Sequence, residues 1–128
     1  MADQFNMSGD FRGSIINIKS TLANVKQSIG DIRTDDENAR KDLEKLVQQL
    51  SEALQKIPVE KQEQAQAVAE TAKALVDTAK AEKPNQTMLQ ITGEGLKQAA
   101  QNLAEVMPTV VTIAGQIVIA VSKLVIGV

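Results

Sequence analysis

The side chains of this chain that could do chemistry are carboxylates. Asp35 with Asp36, and Glu60 with Glu63, stand close enough in sequence to share a proton or to hold a hard cation. There is no His and no Cys, so the usual general base at neutral pH, the thiol nucleophile and the two commonest transition-metal ligands are all missing. Each acid pair also has a structural duty. Thr34-Asp35-Asp36-Glu37 reads as a capping box, in which hydroxyl and carboxylate oxygens take up the free amides of a helix start. Glu60 and Glu63 flank Lys61 on what reads as a solvated helix face. Gly93-Glu94-Gly95 runs into Leu96-Lys97, without the third glycine or the Lys-Ser/Thr ending of a phosphate loop. The expectation is a non-enzymatic protein with no catalytic, cofactor or metal site and no small-molecule substrate.

What remains is the chemistry of association, and two segments carry it. Residues 106–128 are almost wholly apolar, with Lys123 as the one formal charge. As a helix, this tail leaves no continuous polar stripe, so Val110, Ile113, Ile117, Val121 and Leu124 must be hidden by the fold, by other copies or by lipid. Thr109, Thr112, Gln116, Ser122 and Lys123 interrupt the run, although its length just suffices for a hydrocarbon core. The second segment lies at the other end. Residues 13–18, Gly-Ser-Ile-Ile-Asn-Ile, are rich in β-branched residues, uncharged and free of proline, with an Asn able to form ladders, which is the composition of a cross-strand stacking unit. Ser8-Gly9-Asp10 supplies turn chemistry just before it. Phe5, Met7, Phe11, Ile15, Ile16, Asn17 and Ile18 are the candidate self-association residues, arranged as a hairpin or β-arc that needs a partner surface. An ordinary edge strand packed on the helices is the plainer alternative.

The elements that position these segments follow from periodicity. Leu22, Val25, Ile29 and Ile32 make a helical stripe, predicting a short helix over 20–29. The capping box opens a longer helix to about Ile57, with Ala39, Leu43, Leu46, Val47, Leu50, Leu54 and Ile57 on one face and Pro58 as its stop. Ala65, Val68, Ala69, Ala72, Leu75, Val76 and Ala79 stripe the next, over 59–82. A third long helix over 87–107 turns Met88, Ile91, Leu96, Ala99, Ala100, Leu103 and Val106 inward, Gly93 and Gly95 loosening its first turns. Pro108 then starts the apolar helix 108–128. Short links favour antiparallel neighbours. The fold class is mainly α: antiparallel helical hairpins or a bundle of about four longer helices, with a short N-terminal β hairpin or β-arc arm. Residues 1–33 form the arm with its short helix, and 34–128 the bundle.

Composition sets outer limits. The 128 residues can bury a sizeable core, yet Phe5 and Phe11 are the only aromatics, so that core is built from aliphatic side chains as in helical bundles. A net charge of −2 without a basic run argues against nucleic acid as a partner. Met1-Ala2-Asp3-Gln4 lacks the features of a secretory signal, which places the chain in the cytoplasm, with membrane association as the further option that the tail opens.

The stretch 7–22, MSGDFRGSIINIKSTL, followed by charged helices, resembles small bacterial proteins that open with a Gly/Asn β motif and close with an apolar helix. Its opening is also similar to prion-like motifs through which some bacterial signalling and cell-death proteins self-associate. No activity comes with either resemblance. They imply assembly through the N-terminus and a membrane or partner role for the helices. The expected function is therefore homo-oligomerisation through the N-terminal β segment, with the apolar helix buried in the assembly or directed to a membrane; the alternative is a soluble helical adaptor that binds another protein.

Overall fold

A computed structural model describes the main chain of residues 2–32, 34, 36–81 and 83–126, and within these the side chains of residues 16–125. The chain is mainly α, with five helices and no strand among the described residues. Helix α1 spans Ala2–Gly30, α2 Glu37–Leu54, α3 Gln62–Ala79, α4 Gln86–Gln101 and α5 Pro108–Ile126, and a 3-10 turn, Val59–Lys61, follows Pro58. The side chains of Phe5, Met7, Phe11 and Ile15 lie outside the described residues, and with them the β-arm expectation. Among the described side chains of α1 the buried stripe already includes Ile18, ahead of the helix start at Ser20 that the periodicity predicts.

The helices close into a ring. α1 packs on α2 and α3, α3 on α4, α4 on α5, and α5 back on α2. Short links turn the chain between consecutive helices, so they alternate in direction. Around the ring every neighbouring pair is antiparallel except α1 with α3. There Ser28, in the last turn of α1, meets Asp77, in the last turn of α3.

One aliphatic core fills the ring. Ile18, Leu22, Val25, Ile29 and Ile32 join Leu43, Val47, Leu50 and Leu54, the whole small-residue stripe of α3, and Val110, Ile117 and Val121, all buried. Small side chains on α3 let its neighbours approach closely, which is why the helix with the most alanine touches both α1 and α4 most extensively.

Caps and braces sharpen the element ends. Asp36, not Thr34, caps α2, its carboxylate accepting from the Ala39 amide at 2.9 Å. The Thr34 hydroxyl takes the Asp36 amide instead, at 3.1 Å. The expected capping box does not form: Thr34 takes an amide ahead of the helix, Glu37 pairs with Arg40 and takes none, and Asp36 is the acid that caps. Arg40 pairs with Glu37 and also donates to the carbonyls of Ile32 and Thr34, at 2.8 and 3.1 Å, pinning the α1–α2 link. α2 ends at Leu54 and α4 at Gln101, both short of the predicted stops, because turns close onto Leu54 and Leu103 through backbone bonds before each proline is reached.

Candidate functional site

The apolar tail is amphipathic once in place. Val110, Ile113, Ile117, Val121 and Leu124 are all buried, together with Ala114, on the side that meets α2 and α4. The polar interruptions all point the other way: Thr109, Thr112, Gln116, Ser122 and Lys123 are exposed. Positions 109, 112, 116, 119 and 123 follow helical spacing, so a narrow polar stripe does exist, broken only by Ile119 at 58% exposure. The stripe is not continuous, as the sequence implies, yet the burial of the opposite side makes the helix one-sided. The stretch Pro108–Val125 is long and apolar enough to cross a membrane, and 33% of it is buried. That share is more than α4 hides and less than α3 does.

The N-terminal candidates divide. Ile16 is 61% exposed and Asn17 is exposed, whereas Ile18 is fully buried and belongs to the core. The segment that was expected to associate as a unit therefore ends in a residue that the bundle already uses.

Helix α4 departs most from expectation. Met88, Ile91 and Val106, predicted to face inward, are exposed at 45%, 57% and 38%. Leu89 and Gly93 take the inward places ahead of Leu96, Ala100 and Leu103. Gly93 is there because α5 comes so close: a Cβ at this position would lie 3.2 Å from Val118 Cγ1. Beside that contact a groove of about 250 Å³ opens between α4 and α5, floored by Leu89, Gly93 and Val118 and rimmed by Gln86, Gln90, Glu94 and Ser122.

Polar chemistry concentrates where α1 meets α3. The buried Ser28 hydroxyl donates to Asp77 Oδ1 at 3.3 Å and accepts from Lys80 Nζ at 3.3 Å, while Lys73 donates to Asp77 Oδ2 at 2.9 Å. Burial raises the Asp77 pKa, but the hydrogen bond and charge of Lys73, with those of Lys80, outweigh it and hold the carboxyl below its ordinary value. A serine beside a lysine can form a nucleophilic pair, yet here the lysine is a charged partner of Asp77 and the groups lock two helices together. Of the acid pairs, Asp36 is a cap, and Glu60 and Glu63 are exposed. No group of His, Cys, Asp or Glu able to hold a metal occurs among the described residues.

Comparison with family models, with curated proteins and with solved structures gives no match. The functional reading rests on the residues themselves.

Proposed function

We propose that this chain is a non-enzymatic, cytoplasmic assembly protein whose copies associate through residues 5–17, with α5 kept inside the bundle. The observation that carries the reading is Ile16, 61% exposed in an uncharged β-branched run, two residues from a fully buried Ile18. One exposed aliphatic side chain is ordinary by itself, as Val59 and Ile119 are; what supports the reading is that Ile16 belongs to an uncharged β-branched run, with Ile18 tying that run to the bundle.

The run pairs with the same run of neighbouring copies as a β arm. Helical form is costly there, since Gly9 and Gly13 each cost roughly 1 kcal/mol relative to Ala and Ile15 and Ile16 are β-branched. Stacked strands relieve that conflict, because the same residues are good strand formers. The exposed threonines, Gln116 and Lys123 support retention of α5 in the bundle over its delivery to lipid.

Ile16→Lys tests the reading. In stacked copies the lysines recur about every 4.8 Å, and two unit charges at that spacing repel by roughly 3 kcal/mol at an effective dielectric near 20. Light scattering should show the larger particles of the parent chain replaced by single chains, with far-UV circular dichroism nearly unchanged. An unaltered particle mass rejects N-terminal association.

A further inference from the structure

Close packing fixes the register of the antiparallel pair α4 and α5, since a Cβ on Gly93 would meet Val118. Residue 93 thus stands level with 118, 94 with 117 and 90 with 121. The groove between these helices, about 250 Å³, runs from Gln86 to Glu94 on one wall and from Val118 to Ser122 on the other, so its centre lies level with residue 120 of α5. Its apolar floor has room for the four carbons of one isoleucine side chain. Such a side chain stands on its lip: Ile119 follows Val118, lies one helical step from Ser122, and is 58% exposed. Exposure alone gives Ile119 no meaning; the groove beside it does.

A knob and a hole on one face are what a symmetric contact between two copies requires. A two-fold axis normal to this face, level with residues 119 and 120 and passing between α5 and the groove, turns α5 of a second copy antiparallel to the first. Ile119 of each copy then enters the groove of the other. The same rotation carries Lys123, four residues past Ile119, back to the level of residues 116 and 117. That is the level of Glu94. Lys123 also stands about 140° around α5 from Val118, on the side away from α4, and the rotation brings that side over α4 of the other copy.

Charge selects this occupant. The face carries both signs, Glu94 on α4 and Lys123 on α5, and the two-fold sets each against its opposite, whereas a uniformly acidic or basic helix would meet a like charge. Lys123 is exposed and makes no ion pair among the described residues. Glu94 is held by Lys97 alone, at 3.7 Å with both side chains well exposed, and its carboxylate keeps acceptor sites for a second ammonium.

We propose that the α4–α5 face joins two copies of this chain in a symmetric dimer, with Ile119 of each in the groove of the other and Glu94 paired with Lys123 across the two-fold. The face is about 28 Å long and about 20 Å wide, so the dimer buries on the order of 1,100 Å² in all, at the low end for a specific contact, and it comes apart on dilution. This contact is separate from residues 5–17 and forms whether or not those associate.

The test is sedimentation velocity of the Ile16→Lys chain, in which association through residues 5–17 is switched off. Single chains at low concentration should give way to a two-copy species as concentration rises. Ile119→Gln should weaken that dimer about tenfold, while Val59→Gln, at an exposed apolar residue elsewhere, should leave it unchanged. Glu94→Lys and Lys123→Glu should each weaken it severalfold, and the two together should restore it, because the pair is then exchanged and not lost. Single chains at every concentration, equal effects of Ile119→Gln and Val59→Gln, or a double variant no tighter than the singles overturns the proposal. So does growth beyond two copies that Ile119→Gln removes, since a two-fold contact closes on itself. The reading of residues 5–17 stands or falls separately, by the particle masses of the parent and Ile16→Lys chains.

Discussion

Helices α4 and α5 lie side by side and treat their apolar residues in opposite ways. α5 is the most apolar helix of the chain, yet its outward face is Thr109, Thr112, Gln116, Ser122 and Lys123, with Ile119 as the exception. α4 is interleaved with Gln and Thr, yet it turns Met88 and Ile91 to solvent and a glycine inward. Exposure of apolar surface is thus set by register and not by how apolar a helix is. A few polar residues at helical spacing are enough to clothe α5, while on α4 the close approach of Val118 to Gly93 fixes a rotation that leaves two large side chains outside.

The largest way to break that comparison is to remove 108–128. If α5 is a bundle helix, its loss uncovers the inward faces of α2 and α4, and cooperative thermal unfolding should disappear from circular dichroism. A truncated chain that melts cooperatively would show that α5 is an appendage. Within α5, Ile117→Ala should cost about 2 to 5 kcal/mol and Ile119→Ala under about 0.5 kcal/mol, read as the shift in urea midpoint. Comparable losses at the two sites would contradict the one-sided burial described above. On α4 the two glycines part company. Gly95→Ala meets nothing closer than Thr71 Cγ2 at 3.9 Å and should stabilise by up to about 1 kcal/mol, whereas Gly93→Ala gains the same propensity but must push Val118 away and should show no net gain.

The smallest effect is electrostatic. Asp77 has a folded pKa below its ordinary 3.8, so its ionised form favours the folded chain. That contribution is complete above about pH 4 and fades as acid carries the pH down through the lower, folded value. Asp77→Asn should therefore lower the melting temperature slightly at pH 7 and leave it level with the parent chain at the acid end. A constant difference across that range would place the effect in packing instead of charge.

Much of the fold was legible because stripes of aliphatic residues state a helix and its inward face together. Ala65, Val68, Ala69, Ala72, Leu75, Val76 and Ala79 were readable as one face and are all buried. The register of α4 was not legible. Counting large apolar residues selects Met88 and Ile91, and the signal for the true inward row is a glycine, which carries no side chain to count and gains meaning only from its neighbour on α5. The cap of α2 was misplaced for a related reason: Thr34 and Asp36 offer equivalent oxygens, and which one caps depends on where the link from α1 releases the chain, a position set by Arg40 holding Ile32 and Thr34.

The ring has an odd number of members, and parity has a cost. Alternating directions cannot close around five helices, so one junction must join two that point the same way. At α1 with α3 the carbonyl ends of both helices come together, each carrying partial negative charge, and Lys80 reaches across them to Ser28. The same junction spans 49 residues of sequence between Ser28 and Asp77, against the single short turn that joins α4 to α5. Longer still is the return of α5 to α2, from Pro108 back to Leu54 at the nearest, so the contact expected to close last in folding is that one and not α1 with α3.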